Sequence, residues 1–163
     1  AAGLINQPPL HAELDRLAAA TPLIQERINT LSEAVGLLAF LFLPDDKITI
    51  APDAGLSAGA IPTLTAAYEA LTALPDFDHE AVASALRTAL VDNLGLKPRL
   101  AFGPVRAAVT GSRISPPLFE SIELLGRQST LARIAVALTE LGDPAFAESS
   151  QRRGAAAAST TDH

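Results

Sequence analysis

Apolar residues recur along this chain at helical spacing, in short bursts punctuated by proline and glycine. After Gln7-Pro8-Pro9, the run Leu10, Leu14, Leu17 predicts a short amphipathic helix opened by proline. Thr21-Pro22 then reads as a second start, with Thr21 as N-cap and Pro22 in the first turn. From there Ile24, Ile28, Leu31, Val35, Leu38 and Phe42 alternate at spacings of four and three, one helical stripe stopped by Pro44-Asp45-Asp46. Residues 44–60 read as a loop, with room for a short extended piece at 47–50. A third helix is predicted over about 60–74, using Ile61, Leu64, Tyr68 and Leu71, and Pro75-Asp76-Phe77 breaks it. Asp78 caps a fourth through Val82, Leu86 and Leu90, and Gly95 closes it.

The next segment carries Lys97-Pro98, Gly103-Pro104 and Gly111. Between them, Val105 to Thr110 is open to helix or strand by local propensity; a short helix ended by Gly111 fits the surroundings better. Ser115 is an N-cap with Pro116 at the first helical position, leading into Leu118, Ile122 and Leu125 and ending at Gly126. Ser129 caps the last helix, with Leu131, Ile134, Leu138 and Leu141 inward and Gly142-Asp143-Pro144 as the stop. From about residue 147 periodicity is lost, and a disordered tail is expected. The expected fold class is all-α: a compact arrangement of about six to eight short helices joined by Pro and Gly corners.

Composition fits that picture and narrows the chemistry. Of 163 residues, 48% are hydrophobic and only 4% aromatic, which favours helix over strand. There is no Cys, so disulfides and thiolate metal sites are excluded. His11, His79 and His163 lie too far apart for helical ligand spacing, so no metal site is expected. The apolar run 34–43 is about half of what spans a bilayer. The chain opens at Ala1, contains no Met and has no signal-peptide pattern. It reads as a piece of a longer protein or as a processed start.

Charge changes the picture more. The net charge is −6, which at first argues against nucleic acid. Yet residues 1–93 hold four basic side chains against twelve acids, whereas residues 94–139 hold Lys97, Arg99, Arg106, Arg113, Arg127 and Arg133 against only Glu120 and Glu123. No acid occurs between Asp92 and Glu120. This local excess is either a solvated basic face or a footprint for an anion, and a patch matters more than the global sum.

The motifs of nucleotide-binding and hydrolytic enzymes are missing. There is no G-x-G-x-x-G, no phosphate loop with its Lys, no G-x-S-x-G and no carboxylate spacing that selects a catalytic pair. One stretch is distinctive: Leu96-Lys97-Pro98-Arg99-Leu100-Ala101-Phe102-Gly103-Pro104-Val105-Arg106-Ala107-Ala108-Val109-Thr110-Gly111. It is followed by Ser115-Pro116-Pro117-Leu118-Phe119-Glu120, by Glu123-Leu124-Leu125-Gly126-Arg127 and by Leu131-Ala132-Arg133-Ile134. In order and spacing this resembles the C-terminal anticodon-binding region of bacterial glutamyl-tRNA synthetases over about 45 residues. Ile24-Gln25-Glu26-Arg27 with Leu31-Ser32-Glu33 resembles the family's first anticodon-region helix more weakly. Val105 stands where the family often has Leu.

The resemblance implies a helical cage with a first anticodon-binding subdomain over 1–45, a second over 46–142 and a disordered tail over 143–163. It implies glutamate tRNA, through its anticodon loop, as partner, and a catalytic domain in the same polypeptide. ATP and magnesium would serve that parent ligase, with no cofactor in this chain, no membrane, no DNA and a cytoplasmic location. Arg27, Arg106, Ser115, Pro116 and Leu118 match anticodon-proximal positions. Arg27 would read the last anticodon base; on a continuous helix it would lie about 60° from the stripe centre. Phe119 is open to stacking on a base or to membership of the core stripe. Lys97, Arg99, Arg113 and Arg127 are candidate phosphate contacts. The rival reading is a helical structural or protein-interaction domain without RNA binding.

Overall fold

A computed structural model of the chain describes residue 5 and residues 9–143. The proposed tail beyond 143 lies outside the described residues, as do Pro8 and Gln7 at the first helix start. Among the described residues there are seven α-helices and no strand: α1 (His11–Ile24), α2 (Leu31–Leu38), α3 (Ile61–Thr72), α4 (His79–Leu86), α5 (Pro98–Thr110), α6 (Leu118–Leu125) and α7 (Arg127–Glu140). A π-helical turn, Arg87–Asn93, extends α4, and short 3-10 turns follow α2 and cross the loop before α3.

The core is built by α3 packing against α4, α5 and α7, with α6 closing over α4 and α7. Leu64 and Leu71 of α3 meet Val82, Leu86, Leu90, Val105, Val109, Ile122, Ile134 and Leu138, all fully buried. Each such aliphatic side chain contributes roughly 1.5–3 kcal/mol on leaving water. The apolar stripes of the last five helices thus do what their spacing predicts.

The N-terminal third is organised differently from the expected two helices. No break occurs at Thr21: α1 runs through it, Thr21 Oγ1 donates back to the Leu17 carbonyl (2.8 Å), and Pro22 sits inside the helix. The break falls at 25–30 instead. Thr30 is the true N-cap of α2, accepting from the Glu33 N–H (3.4 Å), while Glu33 reaches back to accept from the Asn29 N–H (2.8 Å). Thr-x-x-Glu is the capping-box pattern, and it outweighs the unbroken 4-3-4 periodicity. Because the stripe is divided between two helices, Ile24 and Leu38 are buried but Val35 is 42% exposed. The side chain of Leu31 is not described. Leu10 and Leu14, expected inward, are exposed, since α1 buries only its far end, Ala20 and Ile24, next to α6.

Two other starts shift. The helix expected from Ser115 begins at Leu118 after Pro117, and the last helix begins at Arg127, placing Ser129 inside it. The short helix ending at Gly111 is longer than its local signal, starting at Pro98 and accommodating Pro104. Over 47–50 the 3-10 turn Asp45–Lys47 gives way to extended backbone at Ile48, without strand pairing.

Candidate functional site

The motif around Arg106 becomes intelligible on α5. Pro104 lacks an N–H and leaves the carbonyl four residues back, on exposed Leu100, without its helical donor. Val105 and Val109 face the core, which turns Arg106 to the helix flank, half-buried. Thr110 Oγ1 donates to the Arg106 carbonyl (2.8 Å) and holds the last turn. Gly111 then takes φ +76°, a left-handed conformation, and a Cβ there would stand 2.6 Å from the Thr49 carbonyl oxygen. The Ala51 N–H donates to Gly111 O (2.8 Å). This close backbone approach pins the 49–55 loop beside α5 and makes it one wall of an open groove of about 720 Å3. Arg99, Phe102, Arg106 and Arg113 line the groove, and Asp53 is its one acid.

Arg106 is held from below by neutral groups. Its Nη1 donates to Ser115 Oγ (2.7 Å) and to the Pro116 carbonyl (3.2 Å), and Ser115 Oγ in turn donates to Pro116 O (2.8 Å). A guanidinium has five N–H donors. Two are used here, leaving Nε and Nη2 without a protein acceptor among the described residues. Burial lowers the Arg106 pKa from its ordinary value, and the neighbouring Arg27 charge lowers it further. The guanidinium stays charged under any physiological condition. Its positive charge is therefore held in a half-buried position beside a second cation, an arrangement that an anion or a set of acceptor oxygens relieves.

Arg27 is not on a helix flank as the continuous stripe implied. It lies in the turn after α1, its N–H donating to the Ile24 carbonyl (2.8 Å), with an exposed side chain. Its charge acts on Arg106, from the other half of the sequence.

The other expected residues separate into two groups. Ser115 (5% exposed) and Pro116 are buried beneath Arg106, and Leu118 (4% exposed) belongs to the core. Phe119 is half-buried, edge-on to Phe102 (5.4 Å between centroids, 86° between planes), and the Arg87 guanidinium lies over its ring at 5.5 Å. Lys97, Arg99 and Arg113 are exposed. Arg127 is engaged within the fold: it donates to the carbonyls of Leu74 and Pro75 just past the end of α3 and lies 5.2 Å over the Phe77 ring. Arg87 carried no sequence signal; its contact with Phe119 depends on tertiary packing between α6 and the end of α4.

A second recess, of about 540 Å3, lies on the other side of Phe119, between α4 with its π-helical extension and α6. Glu80, Asp92 and Glu120 line it with His79 and Arg87. His79 Nδ1 is 2.9 Å from Glu123 Oε2, and this hydrogen bond, with the nearby carboxylates, raises the imidazole pKa above its ordinary value. Among the described residues no three His, Asp or Glu side chains cluster to hold a metal, and no helix is long and apolar enough to cross a membrane.

The seven helices of the described residues and the basic lining along α5 define an all-α domain with a cationic groove. The family model of the anticodon binding domain matches residues 5–138, and the chain belongs to that family. It is 57% identical to the glutamate–tRNA ligase of Kocuria rhizophila, over 86% of this chain and 28% of that protein. It is 49% identical to that of Kineococcus radiotolerans, over 82% of this chain and 27% of that protein. A crystal structure of a glutamate tRNA ligase from Elizabethkingia meningosepticum in complex with its amino acid shares the fold, with a TM-score of 0.68 and 20% identity, covering 78% of this chain and 25% of that one. The chain therefore spans little more than a quarter of the length of these relatives.

Proposed function

We propose that this chain reads the anticodon loop of glutamate tRNA as the recognition part of a cytoplasmic glutamate–tRNA ligase. The observation that carries the reading is Arg106 on the groove wall, whose guanidinium feels the charge of Arg27 and, among the described residues, has no carboxylate partner and no acceptor at Nε and Nη2. Family membership and the ligase relatives support it. Arg27 and Arg106 are the contact residues, and Arg99 and Arg113 on the groove, with exposed Lys97 at the start of α5, are phosphate contacts. Ser115 and Pro116 serve by holding Arg106, and Leu118 by anchoring α6. Phe119, with one face under Arg87, supports Phe102 at the groove edge.

The pairing chemistry favours a C at the last anticodon position. An unpaired C presents two adjacent acceptors, its ring N3 and carbonyl oxygen, to a group that has only donors. G, which ends glutamine anticodons, offers donors at the corresponding positions. Glutamate activation, with ATP and magnesium, belongs to the catalytic domain of the parent ligase. The residues described here do not fit a metal, and no step through ATP or magnesium is assigned to them.

The test is titration of this chain with labelled glutamate tRNA and with the same tRNA carrying G at the last anticodon position. Tighter binding of the C form is expected. Equal binding of both, or of any RNA hairpin, overturns the reading.

A further inference from the structure

The turn that carries Arg27 and the helix that carries Arg106 are joined in sequence through the segment after α2, and that segment is gripped from both sides. Arg16 on α1 donates from Nη1 to the Leu41 carbonyl at 2.7 Å. Arg133 on α7, 2% exposed, donates from Nη2 to the Leu43 carbonyl (3.0 Å), from Nη1 to the Val109 carbonyl (2.9 Å) and from Nε to Asp45 Oδ1 (2.7 Å). Val109 lies on α5, three residues beyond Arg106. One guanidinium therefore joins the end of the α1–α2 unit directly to the helix that presents Arg106, while Arg16 closes the same unit on itself.

A buried charge is a poor device for stability alone. Desolvation opposes it, as the lowered Arg133 pKa reflects, and an apolar side chain of similar volume often stabilises as well or better. What the planar fork adds is geometry: from α7, it fixes three partners on two further segments at once, Leu43 and Asp45 in the turn after α2 and Val109 on α5. Those segments belong to the two units expected from sequence, 1–45 and 46–142.

From this geometry we infer that Arg133 is a positioning residue for anticodon recognition, setting the α1–α2 unit against α5 so that Arg27 and Arg106 meet one ligand together. The inference rests on the proposed function, and its test separates the two. The chain has no Cys, so spin labels can be placed uniquely at exposed Glu26 and Ile114 through Glu26→Cys and Ile114→Cys. Arg133→Lys keeps the charge and loses the fork; Asp45→Asn keeps both carbonyl bonds and loses only the ion pair. Helix content by circular dichroism serves as the folding control.

The label-to-label distance distribution is expected to broaden in Arg133→Lys and less in Asp45→Asn, at unchanged helix content. With anticodon stem–loops ending in C or G, the preference for C is expected to fall at least about twofold in Arg133→Lys, in the range of coupling between linked residues. An unchanged distribution, or a general loss of affinity with the C preference intact, overturns the inference. If Arg133→Lys does not fold, Asp45→Asn decides by the same two readings. If the unaltered chain shows no preference for C, the proposed function fails instead, and the distance distribution alone decides the role of Arg133.

Discussion

The two recesses flanking the Phe102–Phe119 pair are alike in size and opposite in charge. One is lined by Arg99, Arg106 and Arg113 with Asp53 alone against them; the other by Glu80, Asp92 and Glu120 with His79 and Arg87. Both contain arginine, so the presence of a guanidinium does not make a site for an anion. Arg87 lies on an aromatic ring among carboxylates, whereas Arg106 sits on neutral acceptors beside another cation. The positive balance of residues 94–139 is likewise not spread over a surface. Arg127 and Arg133 are spent on backbone carbonyls and Asp45, and what remains is concentrated along α5 and its following turn.

The contrast breaks most readily at Arg106. Arg106→Ala removes charge-assisted hydrogen bonds worth roughly 1.5–3 kcal/mol, an expected loss of about 10- to 150-fold in affinity for the anticodon stem–loop. Arg87→Ala, across the aromatic pair, is expected to leave the affinity within about twofold, as for surface changes away from a site. Equal losses, measured by fluorescence anisotropy at one salt concentration, would erase the distinction between the grooves.

Arg27→Gln sharpens it in specificity. An amide can turn to present either donor or acceptor, so the choice between C and G should relax. The contact is worth roughly 1–3 kcal/mol by analogy with bidentate base readout, or about 5- to 150-fold in preference. Charging of glutamate and glutamine tRNAs by a ligase carrying this domain, before and after the substitution, measures the change. An unaltered ratio with a folded protein would remove Arg27 from the contact set.

Salt tests the groove as a whole. Three or four phosphate contacts to a single-stranded loop give a slope of about −2 to −3 for log affinity against log salt, at roughly 0.7 per contact. Arg99→Gln or Arg113→Gln should each flatten it by about one contact, and Arg87→Gln should not.

The smallest effect concerns the acidic recess. His79 has its pKa raised by the hydrogen bond to Glu123, so the folded state holds the proton more tightly than the unfolded chain. The resulting stabilisation is complete below the ordinary value of 6.5 and is lost as pH rises through the raised folded value. NMR titration of the His79 ring should give a midpoint above 6.5, falling toward it in Glu123→Gln. RNA affinity should not follow that titration if the two recesses act independently.

Much of this architecture was legible beforehand, and the failures are instructive. Asp78 caps α4 as expected, accepting from the Ala81 N–H at 2.8 Å, because capping needs only residues three apart. The stripes of α3, α6 and α7 were correct for the same reason. The expected break at Thr21-Pro22 falls at 25–30 instead, because two helices that meet a shared core can carry in-phase stripes across a break. Thr30 with Glu33 was the signal that marked it. Ser115 has the local chemistry of a cap, whereas its hydroxyl is committed to Arg106 and to the Pro116 carbonyl.

The linear chain determined helix periods, most corners, the basic excess after residue 94 and the family motif through Thr110-Gly111, since each is written in residues within a few turns of one another. Only the tertiary structure decided which arginines the fold itself engages. Arg133 finds Leu43, Asp45 and Val109, Arg127 finds Leu74 and Pro75, and Arg106 finds Ser115 and Pro116. All of these arginines carry the same side chain and the same charge. What separates an arginine tied into the fold from one left open is whether the fold supplies its acceptors, and that depends on contacts between segments far apart in the chain.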